Sequence, residues 1–208
     1  MPPSFYYMKN KILFLLVVGL NLTLHAQSFE LMPGTERIFI DAQYLKFFDS
    51  NRRVSLFSRA RATTSYDSQT TDLFTGGYLN YTSKSGLGVS TIGRISSNSS
   101  GLDVGVHFFK AKQSFMIFAL PSIHVNKDLL YSWFSIVRFT PTIFKKQKLY
   151  TSLELFSAFD TEGHLSSVQR IRLGLSFSKY QGGIAVNINE SRFSDFDINP
   201  GIFIRAQF

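Results

Sequence analysis

Gly201-Ile202-Phe203-Ile204-Arg205-Ala206-Gln207-Phe208 decides how this chain is to be read. Successive side chains of a strand point to opposite faces, so Ile202, Ile204, Ala206 and Phe208 share one face and Phe203, Arg205 and Gln207 the other. The first face is apolar throughout, and the stretch stops on an aromatic residue. An ordinary sheet strand can carry this pattern, so the reading depends on what stands upstream. There the same alternation recurs: Leu102, Val104, Val106 and Phe108 alternate with Asp103, Gly105 and His107. Ile171, Leu173, Leu175 and Phe177 alternate with Arg172 and Gly174 and follow Arg170, while Ile184, Val186 and Ile188 alternate with Asn187 and Asn189. No stripe of helical period persists, and Ser, Asn, Asp, Lys and Gly punctuate the alternating runs.

The closing stretch resembles the last strand of bacterial outer-membrane β-barrels. In those proteins the alternate apolar residues and the final Phe form the signal read by the barrel-insertion machinery. The resemblance implies two partners: that machinery, through Ile202, Ile204, Ala206 and Phe208, and the outer-membrane lipid. Strands are expected at Arg37–Phe47, Arg53–Ser65, Leu73–Ser83, Leu87–Ser96, Leu102–Lys110, Phe115–Val125, Leu129–Thr140, Leu149–Phe159, Val168–Lys179, Gly183–Asn189 and Gly201–Phe208. Most have the roughly 9 to 11 residues that cross an outer membrane obliquely.

Eleven is an odd count, and a bacterial barrel with both ends in the periplasm needs an even one. Either a short strand lies in Ser28–Met32, giving twelve, or Arg37–Phe47 is not a barrel strand, giving ten; we favour twelve. The fold class is therefore all-β: a closed antiparallel transmembrane β-barrel of 10–12 strands, of the small porin-like type. The barrel is assigned to 37–208, with 27–36 as an N-terminal segment.

A soluble β-sandwich would alternate as well, but its outer face would be rich in charge. Here 17% of residues are charged, and both faces carry aromatics drawn from 22 Phe and 9 Tyr. With the last strand running towards the periplasm, Ser83–Gly86, Lys110–Ser114, Lys145–Lys148 and Tyr180–Gly183 become inner turns. The outer loops are then Tyr66–Asp72, Ser97–Gly101, Asn126–Asp128, Asp160–His164 and, longest, Glu190–Pro200. Tyr131, Trp133, Tyr78 and Tyr81 are candidates for the aromatic girdle at the lipid headgroups.

The beginning of the chain fits export. Met8-Lys9-Asn10-Lys11 is a basic opening, Ile12 to Leu20 an apolar core, and Ala26-Gln27 a plausible cut. Together they read as a signal peptide over 1–26, with translation starting at Met8. The apolar run falls short of the roughly 18 residues of a membrane-spanning helix. The Leu-His-Ala/Gln cut and the Phe-rich strands resemble Bacteroidetes envelope proteins. The net charge of +8 drops only by Lys9 and Lys11 on cleavage. Lys and Arg are dispersed rather than gathered on one patch, so a nucleic-acid partner is not expected.

On the lumen side the alternation collects Arg59, Arg61, Arg94, Arg138, Arg170, Arg172 and Arg205, against Asp41, Asp103 and Glu154. Unpaired guanidinium groups are costly away from water, so a surplus of Arg implies water or passing anions. The expected function is a narrow passive channel for small, anionic solutes, its Arg residues setting selectivity. Arg59/Arg61 and Arg170/Arg172 are i, i+2 pairs that resemble the arginine tracks of small porins passing acidic oligosaccharides. The alternative is a wall held together by Arg–carboxylate pairs, conducting little and serving a structural or partner-binding role.

A rim enzyme acting on lipid acyl chains would need a His with a Ser and an orienting group. His124 with Ser122, and His164 with Ser166 and Ser167, are the nearest approaches, and no Gly-x-Ser-x-Gly elbow occurs. With no Cys and no His-x-x-x-His spacing, neither a metal nor a cofactor is expected.

Overall fold

The computed structural model describes residues 27–208, apart from 69, 98, 126–129 and 145–146, and of residue 195 the backbone alone. The leader read at 1–26 with its start at Met8, the loop Asn126–Asp128, and Lys145 and Lys146 of one turn lie outside the described residues.

Thirteen antiparallel strand segments follow one another: β1 (Ser28–Pro33), β2 (Arg37–Phe47), β3 (Val54–Ser65), β4 (Thr71–Thr82), β5 (Leu87–Ser96), β6 (Ser100–Ala111), β7 (Phe115–His124), β8 (Tyr131–Phe139), β9 (Thr142–Phe144), β10 (Gln147–Asp160), β11 (Gly163–Phe177), β12 (Tyr180–Ser191) and β13 (Ser194–Gln207). Each pairs with its neighbour in sequence, with one exception. β9 prolongs β8 beyond Pro141, which has no N–H to give the ladder, and it pairs only with the start of β10. β8 itself pairs with β10 along its whole length. The ring closes where β1 meets β13, Ser28 opposite Gln207 and Leu31 opposite Ile204. Thirteen segments thus make a closed barrel of twelve staves with no free edge, the only kind of sheet whose backbone is satisfied in lipid.

The twelfth stave is the short strand expected in Ser28–Met32. It lies inside the segment 27–36 that the sequence sets apart, so the barrel begins at Ser28 rather than at Arg37.

The two faces sort as the alternation requires. Ile202 and Ile204 are exposed on the outside, as are Leu102, Val104, Val106, Ile171, Leu173 and Ile184, forming an apolar wall for lipid. Their alternates Phe203, Arg205, Asp103, His107, Arg172, Ala185 and Asn187 are buried within. Tyr131, Trp133 and Tyr81 face outwards, but Tyr78 does not. It lies three residues from Tyr81 on one strand, an odd separation, so the two cannot share a face. The interior is more aromatic than a simple polar-in rule suggests. Met32, Phe39, Tyr150, Ala185 and Phe203 pack together, and Tyr78, Ile92, Leu120, Phe134 and Ile136 form a second cluster.

Local chemistry explains the joints. The β6–β7 ladder keeps one register on both sides of Leu120 and Pro121 but lacks the pairings at those two residues. In the β11–β12 ladder Gly174 pairs opposite Gly183, where a Cβ on either glycine would run into the facing backbone. In the turn 48–53 the Val54 N–H donates to Asp49 (2.7 Å) and holds that half-buried carboxyl below its ordinary range.

The expected long outer loop Glu190–Pro200 is instead a tight hairpin. β12 runs on to Ser191 and β13 starts at Ser194, with a register shift past Asn189. Its Asn, Ser and Asp residues resemble a loop, yet Asp197 and Asn199 serve the wall. Asp197 accepts from Arg37 (2.6 Å) and Asn189 (2.9 Å), and Asn199 Oδ1 accepts from the N–H of Glu36 (3.0 Å). Tyr180–Gly183 belongs to β12 in the same way, leaving Ser178 and Lys179 as the turn.

Candidate functional site: the barrel lumen

Counting round the ring, β3 and β10 stand on opposite walls. Arg59 and Arg61 on β3 nevertheless reach Glu154 on β10. Arg59 Nη1 donates to Glu154 Oε2 at 2.6 Å, and Arg61 Nη2 to Oε1. Arg170 on β11, paired opposite Glu154 in the ladder, donates to the same Oε1 at 2.7 Å. On the near wall Arg59 forks onto Asp41 with Nε at 2.6 Å and Nη2 at 2.9 Å, and Arg61 Nε adds a longer bond at 3.3 Å. Three guanidinium groups and two carboxylates therefore form a bridge across the lumen, almost wholly removed from solvent. The bridge ties opposite walls together and forms the waist of the lumen.

The remaining predicted residues form smaller groups. Arg172 donates through Nε to Glu30 (2.9 Å) and through Nη1 to Asn187 Oδ1 (2.9 Å). Arg94 lies 3.3 Å from Asp103, which also holds His124 Nδ1 at 2.6 Å. Arg205 donates to Ser28 Oγ (2.8 Å) and Gln43 Oε1 (3.0 Å), with Glu30 farther off at 3.7 Å. Among the described residues Arg138 has a single long hydrogen bond, also to Gln43 Oε1, at 3.4 Å. The i, i+2 pairs behave differently from each other: Arg59 and Arg61 converge on shared carboxylates, whereas Arg170 and Arg172 divide between Glu154 and Glu30. Both of the latter lie over the Phe39 ring, at 5.1 and 5.7 Å from its centre.

Sequence reasoning missed Glu30, Gln43, Phe39 and Tyr150. For Glu30 a signal existed: once Ser28–Met32 is granted as a strand, its parity puts Glu30 inside, and the closing register sets it opposite Arg205. With Glu30 added, the seven predicted arginines face four carboxylates, and positive charge remains in surplus.

Two cavities enter this lumen from opposite ends. One, of about 450 Å³, opens at the end away from the termini and is lined by Arg37, Arg61, Arg94 and Arg170 with Asp72 and Asp103. The other, of about 380 Å³, opens beside Gln27 and Phe208 and is lined by Arg138 and Arg205 among Phe and polar residues. The Arg59–Asp41–Glu154 bridge separates them.

Hydrolytic geometry is not assembled among the described residues. His124 holds Asp103, but Ser122 bonds to Ser132 (2.7 Å). His164 Nε2 lies 2.7 Å from Ser167 Oγ with no carboxylate on the ring. His107 is held between Ser90 and Thr82. Among the described residues, no three His, Asp or Glu side chains gather as a metal site.

No protein-family model matches the sequence, and no curated protein sequence matches it. Among solved structures, the NanC porin is similar with a TM-score of 0.54 and 10% identity, over 87% of this chain and 97% of that one. The KdgM porin in complex with disordered oligogalacturonate is similar with a TM-score of 0.52 and 9% identity, over 87% and 98%. The molecule has the fold of the outer-membrane β-barrels. Within that class its twelve-stave barrel is similar to these small porins.

Proposed function

We propose that this protein is a narrow passive channel for small solutes, anionic ones in particular. The observation that carries the reading is the pair of cavities that approach one arginine-rich waist from opposite ends. A solute bearing a carboxylate can exchange for Glu154 or Asp41 on Arg59, Arg61 and Arg170, because a guanidinium fork binds any carboxylate in the same geometry. A neutral solute of equal size has no such exchange and must break the bridge without recompense. That one of the similar porins is solved with oligogalacturonate supports the same direction. Arg59, Arg61, Arg94, Arg138, Arg170, Arg172 and Arg205 are the selectivity residues in this reading.

A second reading has its own observation. The Arg59–Glu154 bridge spans the whole lumen, and a barrel so tied can serve as a non-conducting wall or a partner platform. Swelling of liposomes carrying the protein separates the two. Galacturonate should enter several times faster than galactose; entry of neither solute leaves the non-conducting barrel, and equal entry removes the anion preference.

A further inference from the structure

The cavity beside the termini has a chemistry unlike the waist. Arg138 and Arg205, from staves on different parts of the ring, both donate to Oε1 of Gln43, at 3.4 and 3.0 Å. Two cations thus share one neutral oxygen. The Nε of each is buried without a hydrogen-bond partner among the described residues. Glu30 stands behind Arg205 at 3.7 Å, but Arg172 holds it more closely, at 2.9 Å. Among the described residues that line the cavity itself there is no Asp or Glu. Gln43 is fixed in this orientation because its Nε2 donates to Asp41 (2.6 Å), which leaves only its oxygen for the arginines. Beside Arg138, on its own strand and on the neighbouring β7, Phe134, Ile136, Met116 and Phe118 make an apolar wall of the same cavity. The space, about 380 Å³, is of the size that holds a small organic ligand.

We infer that this cavity is a binding site for a small amphipathic carboxylate, its head group on Arg138 and Arg205 and its apolar body against Phe118, Phe134 and Ile136. Arg138, with no carboxylate in its contacts, and Arg205, with Glu30 only at 3.7 Å and shared with Arg172, gain from an anion what Gln43 cannot supply, and the forked donors favour a planar carboxylate. The apolar wall gains from covering by hydrocarbon or an aromatic ring. The bridge at the waist closes the cavity inwards, so the ligand enters and leaves by the end near the termini. The site does not depend on whether the barrel conducts.

The test uses the full chain in lipid nanodiscs, with equilibrium dialysis against empty discs as reference. The probes are 2-naphthoate, decanoate, their neutral counterparts 2-naphthol and decanol, and acetate. Saturable binding of at least one of the two larger acids, tenfold or more tighter than its alcohol and than acetate, is the expected result. Preference for decanoate would point to a lipid-derived ligand, and preference for 2-naphthoate to a soluble aromatic acid. Arg138→Gln leaves no carboxylate orphaned and should weaken the favoured acid at least tenfold, with folding checked by the mobility of the unheated protein on a gel. Should the variant fail to fold, the comparison of acid with alcohol on the unaltered protein still decides. Equal binding of acid and alcohol, binding of acetate as tight as the larger acids, or no saturable binding overturns the site, as does a folded Arg138→Gln barrel that binds unchanged.

Discussion

Replacing Glu154 by Gln removes the one carboxylate that three arginines share across the lumen. In the unaltered barrel Glu154 accepts from Arg59 at 2.6 Å, from Arg170 at 2.7 Å and from Arg61, and it is 6% exposed. The amide keeps the shape but loses the charge, so the bridge of three guanidinium groups would keep only Asp41 to oppose it. Breaking one side of a buried ion pair costs about 3–5 kcal/mol. With a urea dependence of about 2 kcal/mol/M, the unfolding midpoint should fall by about 2 M. The same change frees Arg59 and Arg61 from the far wall and Arg170 from its neighbour on β10, widens the waist and raises its positive charge. Single-channel conductance in a planar bilayer should therefore rise several-fold, and anion preference should increase with it. A variant with unchanged urea midpoint and unchanged conductance would show that the bridge neither holds the walls together nor closes the lumen.

Other outcomes follow from the same geometry. Arg170→Gln with Arg172→Gln should reduce anion preference, read as a smaller reversal potential in a KCl gradient. Because Glu154 keeps Arg59 and Arg61 in that double variant, the barrel should still fold. Val106→Arg places a charge on the lipid face in mid-strand and should destabilise the inserted barrel by about 2–4 kcal/mol in a urea titration in lipid. Gly174→Val drives a side chain into the β12 backbone and should cut the yield of folded barrel severalfold, measured as the fast-migrating band of unheated protein. Glu30→Gln should leave Arg172 and Arg205 without their carboxylate and lower the urea midpoint by an amount comparable to Glu154→Gln.

Parity along a strand is a local property, and it carried most of the fold. Leu102 to Phe108, Ile171 to Phe177 and the closing Ile202 to Phe208 each declare which side meets lipid without reference to any other strand. It also placed all seven arginines and Asp41, Asp103 and Glu154 on the lumen side. What parity cannot say is which walls face each other. Arg59 and Glu154 are 95 residues apart, and they meet only because a twelve-stave ring sets β3 opposite β10. With the count open between ten and twelve, that pairing was out of reach, and so was the closed waist. Strand ends were misjudged where polar residues do structural work inside the barrel, as Asp197 and Asn199 do on β13. Tyr78 was misplaced by grouping it with Tyr81 against its own parity.

In the channel proposed above, the arginine surplus of the lumen is what admits anions through the waist. The direct measurement is the reversal potential of the purified protein in a planar bilayer under a KCl gradient. A small conductance whose reversal potential reports chloride over potassium is predicted; a bilayer that stays closed, or a current carried equally by both ions, would contradict it.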